Sequence, residues 1–240
     1  MGLSCSALVT AQEYMAVSSS GFEQGCELVY QRQRPVPRSC ESKRVQYMAA
    51  SLLDRLKRET QDSHRDVERH VDVMSRVRTA ASYRTLLEQL YGVYCPVESE
   101  IARSMSEIAT WLPDIDKRMR TASLRLDLRV LGNLCPEALP LAPIPPLCSL
   151  PQLFGCLYVL EGSTLGGQTI AREVSNQLPY YPESGCSFFA SHGAEVGGMW
   201  RRFREAIELY ADAHSESHDT IIQSAAATFQ TFAGWFESKS

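Results

Sequence analysis

Three glycines fall inside a segment whose apolar spacing is otherwise helical: Leu157-Tyr158-Val159-Leu160-Glu161-Gly162-Ser163-Thr164-Leu165-Gly166-Gly167-Gln168-Thr169-Ile170-Ala171-Arg172. A glycine within a helix costs about 1 kcal/mol relative to alanine. Gly162, Gly166 and Gly167 together therefore forgo on the order of 3 kcal/mol from a domain stability of about 5–15 kcal/mol. A chain tolerates that loss where something must approach the backbone or bend it. Three arrangements meet the condition: a partner helix packed closely on the glycines, a flat ligand lying against them, or a segment that is not helical. The phosphate-loop form of the third, Gly162-x4-Gly167-Gln168-Thr169, has glutamine where a phosphate-reaching lysine is required, and its neighbours are helical where a βαβ unit is needed.

With 240 residues and 44% hydrophobic content the chain can bury one good core, and a second domain is not expected. A net charge of −4 gives no electrostatic case for a nucleic-acid partner. No apolar run approaches the roughly 18 residues that span a bilayer, so no membrane partner is expected. The 8 cysteines form no C-x-x-C pair and read as reduced thiols of a cytoplasmic protein. Residues 1–47 differ from the rest. Ser18-Ser19-Ser20, Gly21, Gly25, Pro35 and Pro37 break any period, and the charged start and apolar core of a secretory signal are missing. They read as a disordered tail or as translated sequence upstream of the biological start, leaving a folded unit of residues 48–240.

Within that unit the periodicity is helical. Leu53, Leu56, Thr60, His64, Val67 and Val71 recur at spacings of three and four, one face of a helix. A second helical region covers Ser82 to Ile108, with Leu86, Leu87, Leu90, Tyr91 and Tyr94 apolar and Pro96 expected to kink or interrupt it. Leu112 to Val130 is a third, with a candidate break at Pro113. Five prolines make Gly132 to Pro146 a loop. Ser149 stands at an N-cap position with Pro151 in the first turn, opening the glycine-bearing helix, which runs to about Gln177. A loop from Pro179 to Gly193 precedes two more helices, about Gly197 to His214 and Ser217 to Phe236. The fold class is all-α, a single-domain multi-helical bundle.

Few constellations carry chemistry. His64 lies on the apolar stripe of the first helix with Glu68 one turn on, a spacing at which the carboxylate can fix the tautomer of a metal-ligating imidazole. A half-buried histidine with a surface partner is the plainer alternative. His214 and His218 have the i, i+4 spacing of a zinc pair but no evident third ligand. No Gly-x-Gly-x-x-Gly marks a built-in flavin or nicotinamide site, and the paired Glu-x-x-His motifs of a di-iron bundle are missing.

Taken together, the two segments resemble the heme oxygenase family. The stretch Leu56-Lys57-Arg58-Glu59-Thr60-Gln61-Asp62-Ser63-His64-Arg65-Asp66-Val67-Glu68 is similar to the family's proximal helix. The Gly-x-x-x-Gly-Gly pattern at Gly162 to Gly167 is similar to its kinked distal helix. Glu161-Gly162-Ser163-x-Leu165-Gly166 looks like the bacterial branch, including the bacteriophytochrome-associated enzymes. Arg118-x-Arg120, Asp127-Leu128-x-x-Leu131-Gly132, Trp200-x-x-Phe203 and Phe229-x-x-Phe232 extend the likeness over Leu52 to Glu237.

The resemblance implies heme b sandwiched between two helices, serving as cofactor and substrate, with His64 as the axial ligand of the heme iron. It implies cleavage with O2 and electrons from an external donor, a ferredoxin or a reductase, to biliverdin, iron and CO, and a bacteriophytochrome as recipient of the bilin. Neutral histidine ligation suits that outcome better than thiolate ligation. Gly162, Gly166 and Gly167 would give the porphyrin and oxygen a bare backbone, any side chain at Gly162 or Gly166 striking them. Ser163 replaces the aspartate with which animal enzymes organise distal water, a task the likeness gives here to Arg120 supported by Asp127. Lys57 and Arg201 or Arg202 would meet the propionates, with Gln61 replacing a second lysine. Tyr158 would meet a propionate or select the meso edge. Thr60, Val67, Glu68 and Phe232 would complete the pocket. The alternative on the same scaffold is a protein that stores or senses heme without turnover, a reading that the serine at 163 favours and the full glycine set opposes.

Overall fold

The computed structural model describes residues 51–239, and the expectation for residues 1–47 lies outside them. Ser51 opens the first helix, α1 (Leu52–Glu59), by accepting the Asp54 N–H on its Oγ. The stripe predicted from Leu53 to Val71 continues into α2 (Gln61–Val71) across a step at Thr60, whose Oγ1 donates to Leu56 O at 2.7 Å. Asp72 then turns the chain in the left-handed region (φ 37°) into the short α3 (Val73–Arg76).

The next helix, α4 (Ala80–Arg103), continues through Pro96 without interruption. Proline cannot donate to the carbonyl four residues back. That carbonyl, Gly92 O, instead accepts the Ala142 N–H at 2.8 Å. Gly92 permits the approach, since a Cβ there would lie 2.9 Å from Pro140 O and 2.7 Å from the Trp235 ring. The proline-rich loop thus supplies the donor that the helix lacks.

After α5 (Met105–Ala109) and a 3-10 turn (Ile115–Arg118), α6 (Thr121–Val130) begins where the buried Glu98 carboxylate on α4 accepts the N–H groups of Arg120 and Thr121, at 2.7 and 2.9 Å. The third region is therefore broken twice, by the turn at 112–114 around Pro113 as expected and again at 119–120. Ser149 stands at the N-cap of α7 (Leu150–Thr164) with Pro151 in the first turn as predicted, but its hydroxyl caps no helix N–H; Gln152 Oε1 accepts from Ser149 Oγ and the Cys148 N–H. The glycine-bearing helix is two helices, α7 and α8 (Gly167–Gln177), separated at Leu165–Gly166. A short α9 (Ser187–Ala190) lies in the segment read as loop, followed by α10 (Val196–Ala213) and α11 (His218–Glu237).

The central packing is α11 along α7, with α2 against the same helix. At the α7–α11 crossing a Cβ on Gly155 would stand 2.2 Å from Ile221 O. Close helix packing on glycine, one of the three arrangements open for the glycine segment, thus occurs two turns earlier than the motif. Among the described residues no helix is long and apolar enough to cross a membrane.

Candidate functional site

Because α2 and α7 both rest on α11, a cavity remains between them, enclosing about 1270 Å³ with its open mouth included. The predicted residues Lys57, Thr60, His64, Val67, Glu68, Tyr158, Gly162, Ser163, Gly167, Arg120 and Phe232 all line it, as does Gln61. Residues more than a hundred positions apart in sequence therefore meet at one site. Leu90, Tyr94, Phe188, Phe189 and Phe229, which sequence reasoning gave no part in the pocket, line it too.

His64 is about one-third exposed, its Nδ1 3.6 Å from Glu68 Oε1 and its ring edge-on to Phe229 at 5.5 Å. Burial pushes the imidazole below its ordinary pKa, with the Glu68 charge opposing. The neutral form is the one that ligates metal. The predicted pairing of the two residues one turn apart is present.

Across the polar end, Arg120 Nη2 shares its two hydrogens among Tyr94 Oη at 2.5 Å, Ser163 Oγ at 3.0 Å and Leu160 O at 3.1 Å. Ser163 gives its own proton to Leu160 O at 2.6 Å, so Tyr94, 2.9 Å away, donates to Ser163. The Arg120 guanidinium also lies 4.8 Å from the ring centroids of both Tyr94 and Phe188. A buried tyrosine needs a partner for its hydroxyl, and that was the one signal that could have marked Tyr94 in the apolar stripe.

Several predicted residues stand elsewhere. Asp127 makes no hydrogen bond to Arg120. Its buried carboxylate accepts the N–H groups of Ser187 and Phe188, each at 2.8 Å, and the Ser187 hydroxyl, capping α9 and fixing Phe188 at the cavity wall. Burial raises its pKa against those hydrogen bonds. Gly166 lies at the helix break and does not line the cavity. Gly167 lines it, but its missing side chain answers to protein: a Cβ there would lie 2.5 Å from Phe189 O. A Cβ on Gly162 meets nothing within 4 Å. Of the two motif glycines that line the cavity, Gly162 is the one left bare towards open space. Arg201 is exposed and away from the cavity, and Arg202 is paired with Asp114 at 2.9 Å.

The zinc spacing of His214 and His218 is spent on capping. His214 Nδ1 is 3.0 Å from Tyr210 O and His218 Nε2 is 3.2 Å from Ala211 O, at the end of α10. Among the described residues no group of three or more His, Cys, Asp or Glu side chains could hold a metal ion.

Residues 50–134 and 143–238 match the family model described as Heme oxygenase. A curated protein of Xanthomonas campestris pv. campestris (strain 8004), named heme oxygenase, is 37% identical over 104 residues, 43% of this chain. The match spans 59% of that relative's length. Among solved structures, the NO- and CO-bound heme oxygenase of Neisseria meningitidis superposes with a TM-score of 0.67 at 22% identity, covering 79% of this chain and 92% of that one. The Leptospira interrogans heme oxygenase gives 0.64 at 20% identity, over 79% and 100%. The Synechocystis sp. PCC6803 heme oxygenase-1, in complex with heme, gives 0.62 at 20%, over 79% and 92%. At these identities the superpositions establish a shared fold.

Proposed function

The chain belongs to the heme oxygenase family, and from that premise we propose that it cleaves heme, with O2 and electrons from a separate donor, to biliverdin, iron and CO. The observation that carries the proposal is that His64 on α2 and the bare backbone of Gly162 on α7 line the same cavity. A flat macrocycle is the ligand that this lining suits. Val67, Leu90, Phe188, Phe189, Phe229 and Phe232 supply apolar walls. His64 is held neutral and beside Glu68, so one imidazole nitrogen is free for iron while the other faces a carboxylate. Lys57 is the lining cation for a propionate, and Arg201 and Arg202 have no part in that reading.

When bound, heme supplies the iron at which oxygen is reduced and the carbon skeleton that is opened. The protein's own share is to bind, orient and hydrate. Arg120, always charged, and the hydroxyls of Tyr94 and Ser163 place a linked polar set beside Gly162, on which water and a proton path to the distal face would be anchored. The case for a storage protein rests on the serine at 163; the polar set of Arg120, Tyr94 and Ser163 where the carboxylate is missing supports turnover instead. Delivery of electrons by a ferredoxin or reductase, of bilin to a bacteriophytochrome, and action in the cytoplasm belong to the same proposal.

The test is to load the full chain with hemin and add ascorbate under air. Loss of the Soret band with growth of a biliverdin spectrum is expected. A stable 1:1 complex whose Soret band persists would identify a heme-storage protein, and no stoichiometric uptake would refute both.

A further inference from the structure

Behind the cavity, Arg118 and Glu161 form an ion pair whose side chains are 1% and 4% exposed. Neither residue lines the cavity. Arg118 also donates from Nε to Asp114 Oδ1 at 2.9 Å and from Nη2 to Asp114 Oδ2 and Met199 O, each at 3.1 Å. Asp114 Oδ2 in turn accepts from Arg202 Nε on α10. One guanidinium thus joins the 3-10 turn, α7 and α10. Two residues on, Arg120 grips the same turn of α7 through Leu160 O and Ser163 Oγ. The two arginines hold residues 160, 161 and 163 around Gly162.

A buried pair of this kind gives little net stability over apolar side chains of similar volume, because both charges lose their hydration. Burial accordingly raises the Glu161 carboxyl above its ordinary pKa, while Arg118 and Arg120 pull it down. What the pair supplies is direction, since its hydrogen bonds admit one rotation of the helix where apolar contacts admit several. The turn needs that. It contains glycine and is followed by a break in which Leu165 N–H reaches back to Gly162 O, so its own ladder holds it weakly.

We infer that Arg118 and Glu161 are positioning residues for the cavity face of α7, fixing the rotation at which Gly162 is bare towards the cavity and Leu160 O meets Arg120. The inference rests on the heme reading only for its second readout. The variants are Glu161→Gln, which keeps shape and removes charge, and the double replacement Arg118→Met with Glu161→Leu, all in the full chain. The first readout is amide hydrogen exchange of residues 160–168 without hemin, alongside Tm. Both variants should exchange about tenfold faster in that segment, with α11 unchanged and the double variant's Tm at or near the parent's. The second readout is the biliverdin isomer ratio and the alkaline spectral midpoint of the hemin complex. Both should shift, while hemin affinity stays within about threefold. Parental exchange in residues 160–168 would overturn the inference, as would faster exchange with unshifted isomers and midpoint. If the double variant does not fold, Glu161→Gln decides by the same criteria. If the parent takes up no hemin, the heme reading falls and exchange alone decides the inference.

Discussion

Arg120 Nη2 stands 3.0 Å from Ser163 Oγ, so the position after Gly162 presents a neutral hydroxyl tied to a permanent cation. A carboxylate in the same place would take up a proton, whereas the serine hydroxyl stays neutral and gives its own hydrogen to Leu160 O. The cation also favours negative charge developing on a distal ligand. Arg120→Met removes the donor to Tyr94, Ser163 and Leu160 at once but leaves the Arg120 N–H on Glu98. Turnover should fall on the order of a hundredfold with hemin uptake retained. Single-turnover biliverdin yield measures it, and a loss under about twofold would refute the role.

His64→Ala should abolish the histidine-ligated hemin spectrum, and added imidazole should restore it in part. Glu68→Gln, which leaves a weaker acceptor 3.6 Å from Nδ1, should cost about 10- to 100-fold in affinity or activity. Hemin titration and resonance Raman of the iron–imidazole bond read both. A parental spectrum in His64→Ala would place the ligand elsewhere.

The glycines separate by their surroundings. Gly162→Ala puts a methyl into open space and replaces a helix glycine, so the hemin-free Tm should hold or rise by the equivalent of up to about 1 kcal/mol. Hemin uptake or turnover should nevertheless drop sharply. Gly167→Ala drives a Cβ to 2.5 Å from Phe189 O and should destabilise by about 1–3 kcal/mol before any ligand is added. Thermal melts with and without hemin distinguish the two. Matching behaviour of the pair would contradict this division.

Local pattern carried much of the fold. The three-and-four spacing of Leu53 through Val71 gave α1 and α2, and Ser149 with Pro151 gave the start of α7. What sequence spacing could not show were pairings across the chain. Nothing near Pro96 says that Ala142 will satisfy Gly92 O. Nothing near Asp127 says that its oxygens will cap Ser187 and Phe188, sixty positions away. The glycine count was visible, but its division was not: Gly155 answers to Ile221 and Gly167 to Phe189, leaving Gly162 for the cavity. Tyr94 read as one more apolar residue because its hydroxyl partner comes from α7.

A final prediction concerns pH. His192 sits in the left-handed region (φ 58°), and its buried Nε2 has no hydrogen-bond partner among the described residues. Burial lowers its pKa from 6.5, and the charges of Arg120 and Arg118 lower it further against Asp114. The unfolded chain therefore takes up this proton at higher pH than the folded one. Folding is favoured above about pH 6.5 and the contribution is lost as pH falls from there towards the folded value. His64, also lowered by burial, acts in the same direction without hemin. Asp127 and Glu161 are raised, so their contributions have the opposite sign, favouring the fold as pH falls through the acid range. Asparagine tolerates the left-handed region and does not titrate. Hemin-free His192→Asn should therefore lose less Tm than the parent between about pH 7.5 and 5.5. Parallel Tm–pH curves would show that His192 takes its proton equally well folded and unfolded, which its burial and the charges of Arg120 and Arg118 oppose.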